Sequence, residues 1–299
     1  MIRRLAIIGL GLIGSSIARA VARHLPDMAV TGWDGDAGVR ATARAIGLGS
    51  ITETLAEAVD GAELVMLCVP VGAMGAVAAA LAPHLPADAI VSDVGGSKES
   101  VLAALREHLP DVVIVPGHPV AGTEHSGPEA GFATLFHGRW CILTPEPETP
   151  EEAVTAVADV WRALGAQVER MTPRHHDLVL AVTSHVPHLI AYAIVGTASD
   201  LEQVTASEVI KFSAGGFRDF TRIAASDPTM WRDVFLNNRA AVLEILQRLA
   251  EDVTMLQRAI RWGDGDVLFD LFTRTRAVRR SIIDMGQDDA APDFGRRHD

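Results

Sequence analysis

Residues 9–14 read Gly9-Leu10-Gly11-Leu12-Ile13-Gly14, set between an aliphatic run, Leu5–Ile8, and a helix-forming stretch, Leu12–His24. A buried strand entering a glycine turn that opens a helix leaves few folds available. Gly9 permits the tight turn, Gly11 removes the side chain where a pyrophosphate would approach, and Gly14 lets the helix pack close to the strand. The helix begins at Leu12 and Ile13, so free backbone N–H groups of its first turn face any bound phosphate. Glycines also serve ordinary turns, and it is the strand–turn–helix context that turns this run toward dinucleotide binding. Asp34 ends the next aliphatic run, Ala29–Trp33, and lies 25 residues after Gly9. An acidic residue there accepts hydrogen bonds from the adenosine ribose and repels a 2′-phosphate. The following positions, Gly35-Asp36-Ala37-Gly38, hold no Arg or Lys, which favours NAD over NADP. The other reading of Asp34 is a cap for the next helix.

Aliphatic runs at Leu64–Val69, Ala89–Val94 and Val112–Val115 alternate with helix formers at Ala73–Leu81 and Glu99–Leu109. This alternation predicts a largely parallel sheet covered on both faces. Trp140–Leu143 and Gln167–Met171 read as further strands flanking a helix over 151–164. After Pro173 the strand pattern nearly vanishes, and helices are expected over 175–197, 229–260 and 267–285. The expected organisation is an α/β nucleotide-binding domain over 1–172, an all-α domain over 173–285 whose apolar faces suit a dimer or a helical core, and a loose tail over 286–299.

With 299 residues, 48% of them hydrophobic, the chain has material for a real core and is not mainly disordered. Its net charge of −12 argues against a large nucleic-acid or anionic-membrane footprint. Cys68 and Cys141 form no metal-spaced cluster, so no metal site is expected, and two cysteines in so long a chain suit a reducing, cytoplasmic location. The apolar start is broken by glycines in the manner of a folded strand and turn, not a signal peptide, and no stretch reads as long and apolar enough to span a membrane.

Chemistry-bearing residues collect at predicted strand ends. Val69-Pro70 closes one strand, either against the adenosine or simply as a terminator. Asp93-Val94-Gly95-Gly96-Ser97-Lys98 closes the next; Ser97 or Lys98 can reach a substrate, or Ser97 can cap the helix that follows. His118, between Gly117 and Pro119, sits in a segment poor in regular structure. Its unperturbed pKa of about 6.5 suits removal of a hydroxyl proton as a nicotinamide takes hydride from the same carbon; the alternative is a structural loop histidine. Ser184-His185-Val186-Pro187-His188 places two histidines on one helical face, as ligand contacts or core residues. In Gly215-Gly216-Phe217-Arg218-Asp219-Phe220-Thr221-Arg222, one arginine can grip a carboxylate while the other pairs with Asp219. His175-His176-Asp177 reads as the polar start of a helix.

Taken together, GLGLIGSSIARA at 9–20, Asp34, DVGGSK at 93–98, HPVAGTEHSG at 118–127, SHVPH at 184–188 and GGFRDFTRIAASDPTMWRD at 215–233 resemble the prephenate/arogenate (cyclohexadienyl) dehydrogenase family over residues 5–285. The resemblance implies a Rossmann-type domain followed by an all-α dimerisation domain, with NAD as cofactor, a small-molecule substrate and a homodimer formed through the helical domain. It implies no nucleic-acid or membrane partner. It makes His118 the catalytic histidine at the ring hydroxyl, Arg222 the holder of the carboxylate to be lost, and His188 a substrate-side histidine. His185 would lie near the nicotinamide, Glu124 and Asp219 would organise or gate the pocket, and Trp231 would be a pocket aromatic. The family often has serine directly after the DxG glycine; here Gly96 stands there and Ser97 follows. The implied reaction is oxidative decarboxylation of prephenate, arogenate or both, a choice the sequence leaves open. Competing readings are another NAD-dependent β-hydroxyacid dehydrogenase, for which Lys211 is the sole helical-domain lysine, and a non-catalytic NAD-binding regulator.

Overall fold

The structure is a computed structural model that describes residues 2–123, 125–205 and 215–284, with 201–205 described by backbone alone. By compactness it forms one unit over 1–243 and another over 244–299.

In the first unit, six parallel strands run β1 Arg4–Ile8, β2 Ala29–Trp33, β3 Ser50–Ile51, β4 Leu64–Leu67, β5 Ile90–Asp93 and β6 Val113–Val115. Their spatial order is β3-β2-β1-β4-β5-β6. The direction of winding reverses between β1 and β4, and the carboxyl ends there open a crevice suited to a dinucleotide. Strand side chains alternate between faces, and both faces are packed. Leu5, Ile7, Leu64 and Met66 belong to one apolar cluster, while Ala6, Ile8, Val65 and Leu67 belong to the other. That is why these strands read as unbroken aliphatic runs. Helices α1 Leu12–His24, α2 Ala37–Ala45, α3 Leu55–Val59, α4 Met74–Leu81, α5 Glu99–His108 and α6 Glu151–Ala163 complete the layers. The sequence pattern predicts nothing over 46–59, because α3 spans five residues and β3 two, too short to show a period.

A second sheet joins β7 Gly117–Pro119 antiparallel to β8 Trp140–Leu143, which runs parallel to β9 Gln167–Arg170. His118 therefore lies on a strand, in register with Ile142, and not in an irregular loop. Three residues bounded by prolines carry too little pattern to reveal it.

The expected boundary at 172/173 falls inside the first compact unit. α7 Pro173–Leu180 is capped by Thr172 and continues through a wide, π-type turn, Ala181–His185, into α8 Val186–Thr205. Pro187 cannot donate to the carbonyl four residues back and its ring crowds that carbonyl. The helix widens just before it instead of breaking. Contrary to the sequence reading, residues 173–200 are long and apolar enough to cross a bilayer. Length and apolarity do not separate such a span from an interior helix, and this one carries His176, Asp177 and His185 buried and hydrogen-bonded to protein groups.

Next come α9 Gly215–Thr221, a short turn Arg222–Ala225, α10 Pro228–Asn237 and α11 Arg239–Trp262. The single helix expected over 229–260 is broken at Asn238, whose side chain turns inward to donate to the Asp177 carbonyl at 2.8 Å. The second unit holds the rest of α11 and α12 Gly265–Asp284, joined through Gly263 at φ +69°. It exposes Ile260, Trp262, Phe269, Phe272 and Val278. The tail over 286–299 and Lys211 lie outside the described residues.

Candidate active site

The glycine turn is built as the motif requires. Gly9 has φ +100°, and a Cβ there would collide with the carbonyl of Cys68, the residue just past β4. A Cβ on Gly14 would run into the Gly9 carbonyl, so strand, turn and helix touch backbone to backbone. A Cβ on Gly11 would meet nothing within 4 Å, leaving open the space a pyrophosphate needs. α1 has no side-chain cap and no acidic residue in its first turn, so the amides around Leu12 and Ile13 remain for an anion. Asp34 ties this turn to β2: one carboxylate oxygen accepts from Leu10 N at 2.8 Å and the other from Asp36 N at 2.9 Å. Asp36, not Asp34, caps α2. Arg40 spends Nη1 on the carbonyls of Asp34 and Gly35, at 2.8 and 3.3 Å, with Glu53 3.6 Å from its Nε. Val69 is half-buried and Pro70 exposed at the end of β4. Open space at Gly11, free first-turn amides and a carboxylate at the end of β2 fit NAD.

Beside this edge lies a fully buried ion pair. Lys98 Nζ bonds Asp93 Oδ2 and donates to the Gly117 carbonyl at 2.6 Å. Asp93 also accepts from Gly95 N at 2.7 Å and Gly117 N at 3.3 Å, so it holds the turn after β5 and the residue before His118 together. Lys98 is thus a buried brace and not a surface contact.

His118 Nδ1 lies 2.8 Å from His176 Nε2, and His176 Nδ1 lies 2.8 Å from Asp177 Oδ1. The Asp177 carboxylate also accepts from Lys98 N at 2.7 Å and Glu99 N at 3.0 Å, capping α5 from α7. Ser97, the sequence's candidate cap, does not make that bond. Burial, reinforced by His176, Lys98 and His185, holds the His118 pKa well below its usual 6.5. Burial, with Lys98 and His185, pushes His176 down to about 2. Both rings are neutral, and His118 keeps part of its surface accessible.

The position opposite His118 Nε2 belongs to Gly96, whose would-be Cβ stands 3.8 Å away. The Ser97 hydroxyl, expected as a substrate contact, is instead fully buried and has no hydrogen-bond partner among the described residues. His185, Trp231, His188 and Arg222 follow one another from there. His185 is buried, its Nδ1 3.0 Å from Asn238 Nδ2, and burial lowers its pKa to about 4. It meets Trp231 edge-on at 6.1 Å, and Trp231 stacks on His188 at 3.6 Å. His188 Nδ1 donates to the Ser184 carbonyl at 2.8 Å. Its pKa is lowered by burial and by the nearby charge of Arg222, against the pull of that bond. Arg222 is exposed, on a turn anchored by Tyr192 OH to Ser226 O at 2.7 Å. Asp219 pairs with Arg218 at 3.5 Å. Glu124 lies outside the described residues. His176, Asp177 and Asn238 were missed by the sequence reading. The signal available was spacing, since His176 and Asp177 sit four residues before the buried Leu180 and Ala181.

The chain was compared with known families, curated proteins and solved structures. A model of the prephenate dehydrogenase nucleotide-binding domain matches residues 17–170, and one of the prephenate dehydrogenase dimerization domain matches 172–274. Cyclohexadienyl dehydrogenase of Zymomonas mobilis is 47% identical over 281 residues, covering 94% of this chain and 96% of that protein. Prephenate dehydrogenase of Aquifex aeolicus, solved with hydroxyphenyl propionate and NAD+, superposes with a TM-score of 0.88 at 33% identity, covering 94% of this chain and 99% of that one. Synechocystis arogenate dehydrogenase gives a TM-score of 0.79 at 25% identity, covering 93% and 99%.

Proposed function

The chain belongs to the prephenate dehydrogenase family, and on that footing we propose that it oxidatively decarboxylates prephenate, arogenate or both, through His118. It is an NAD-dependent oxidoreductase of tyrosine biosynthesis. The observation that carries the His118 assignment is a neutral, partly accessible imidazole whose Nδ1 is engaged from behind and whose Nε2 faces a glycine. Gly9, Gly11, Leu12, Ile13, Gly14 and Asp34, with Val69 and Pro70 alongside, would hold NAD+, which would supply the hydride acceptor. His118 Nε2 takes the proton of the ring hydroxyl as its carbon becomes a carbonyl. That carbonyl, conjugated with the ring alkenes, draws the electron pair released when the ring carboxylate leaves as CO2. The phenolate oxygen so formed takes the proton back from His118, giving 4-hydroxyphenylpyruvate from prephenate or tyrosine from arogenate.

Arg222 holds the departing carboxylate, and His188 under Trp231 contacts the substrate beside it. A grip that favoured the ground state alone would slow the reaction, so the arginine's exposure, which tempers its hold, suits the task. Asp219 and Glu124 organise the pocket mouth, and His185 stands toward the nicotinamide. Arg222→Ala is expected to raise KM for substrate about tenfold or more, with a smaller change in kcat, because a charge-assisted contact disappears. Unchanged substrate saturation would move the carboxylate site to Arg218.

A homodimer through the helical region is part of the proposal, supported by the dimerization-domain match and the exposed apolar side chains of the second unit. So are the functional halves 1–172 and 173–285 and a cytoplasmic location. NADH production with prephenate and arogenate, each offered NAD and NADP, tests the reading. Reduction of NAD with at least one substrate, and a weaker response to NADP, is expected; no NADH with either substrate refutes it.

A further inference from the structure

We propose that His176 and Asp177 are positioning residues for this reaction, fixing the proton of His118 on Nδ1 so that Nε2 stays bare toward the substrate hydroxyl. This rests on the reading of His118 as the base.

The logic runs from the buried end outward. Asp177 accepts two backbone N–H groups, from Lys98 and Glu99, and so acts as a carboxylate. A carboxylate facing His176 Nδ1 at 2.8 Å can only accept, which places the hydrogen of the neutral His176 ring on Nδ1. His176 Nε2 is then a bare acceptor. The 2.8 Å contact to His118 Nδ1 closes only if His118 donates, which leaves its Nε2 without a hydrogen. One anion thereby sets two tautomers in series. The rings meet edge-on, 67° apart, a geometry open to an N–H to nitrogen bond between imidazoles. The arrangement orients a base from behind, as an aspartate does for a catalytic histidine elsewhere. It matters more here because residue 96 is Gly and offers His118 no side-chain hydroxyl from the front.

The charges balance through the step. His118 gains the hydroxyl proton on Nε2 and becomes an imidazolium, and the hydride leaves with the electron pair of the oxidised carbon. His176 stays neutral and passes the influence of Asp177 forward, so no proton needs to reach the carboxylate. The groups facing the pair are Lys98 from the turn before α5, Asp93 from β5 and His185 from the wide turn. When CO2 leaves, the former carbonyl oxygen becomes a phenolate and takes the proton back from His118 Nε2, a return that the nearby ammonium of Lys98 favours.

The test uses the full-length protein. In 15N spectra of histidine-labelled wild type near neutral pH, with His118→Asn and His176→Leu spectra as assignments, both rings are expected as Nδ1–H tautomers. A hydrogen on His118 Nε2 overturns the proposal. Kinetically, Asp177→Asn presents an amide N–H to His176 Nδ1, inverting both tautomers; kcat is expected to fall roughly 10³–10⁴-fold with KM and NAD binding near wild type. His176→Gln keeps an acceptor for His118 and should retain more turnover than His176→Leu. Wild-type kcat in the three variants, or losses shared equally by KM and NAD binding, would leave only a structural role and sink the inference. Failure of the wild type to produce NADH would instead refute the reading of the reaction, while the spectra still report the tautomers.

Discussion

Replacing His118 with asparagine is expected to leave NAD binding intact and lower turnover by about 10²–10⁴-fold, the usual worth of a positioned general base. Asparagine fits the same strand position opposite Ile142 and can still bond His176, but it cannot take a proton at the substrate hydroxyl. The pH dependence gives a second mark. Burial first, then His176, Lys98 and His185, hold the His118 pKa well below 6.5. A base is lost when protonated, so a depressed pKa keeps it competent as pH falls through 6.5. The acid limb of wild-type kcat/KM assigned to His118 should therefore lie below that value, and it should vanish in the variant. Titrating kcat/KM for both proteins checks this. Turnover close to wild type across the range would remove His118 from the chemistry.

Lys98→Met is the largest expected loss of stability. Both members of the Lys98–Asp93 pair are fully buried, and removing the cation leaves a buried carboxylate without its counter-ion, still facing the amides of Gly95 and Gly117. Breaking such a pair from one side costs about 3–5 kcal/mol. For a unit of this size that lowers the unfolding midpoint by roughly 6–20 °C, measurable by calorimetry. A second substitution, Asp93→Leu, should recover only part of the loss, because the amides of Gly95 and Gly117 then lack their acceptor. In the folded fraction the His118 pKa should rise once the neighbouring ammonium is gone, moving its acid limb upward. A midpoint within a degree of wild type would mean that the pair is not braced as described.

Much of this was legible in the residues. The glycine turn, the strand ends and Asp34 announced themselves because each follows from local rules: aliphatic runs buried on both faces, a turn needing φ above zero, a carboxylate at a fixed distance along the chain. His118 stood out through its neighbours. What hid was non-local. Lys98 looked like a hand held out to substrate, yet Asp93 and the Gly117 carbonyl take it inward. His176 and Asp177 looked like a polar helix start, because nothing within α7 says that its first turn lies against the amides of α5, nearly eighty residues earlier. Ser97 and Gly96 were close in sequence and different in fate, one sealed in and one facing the histidine, a distinction of a single turn residue.

The bond from Asp177 to the start of α5 has a wider consequence. The same carboxylate meets two backbone donors at the start of one helix and, in the tautomer proposal, sets where a hydrogen rests two rings away. A fragment stopping at residue 172 would keep its nucleotide turn but hold an imidazole free to choose either tautomer. The start of α5 and the fifth residue of α7 are thus held to one another by a single carboxylate across nearly eighty residues of chain.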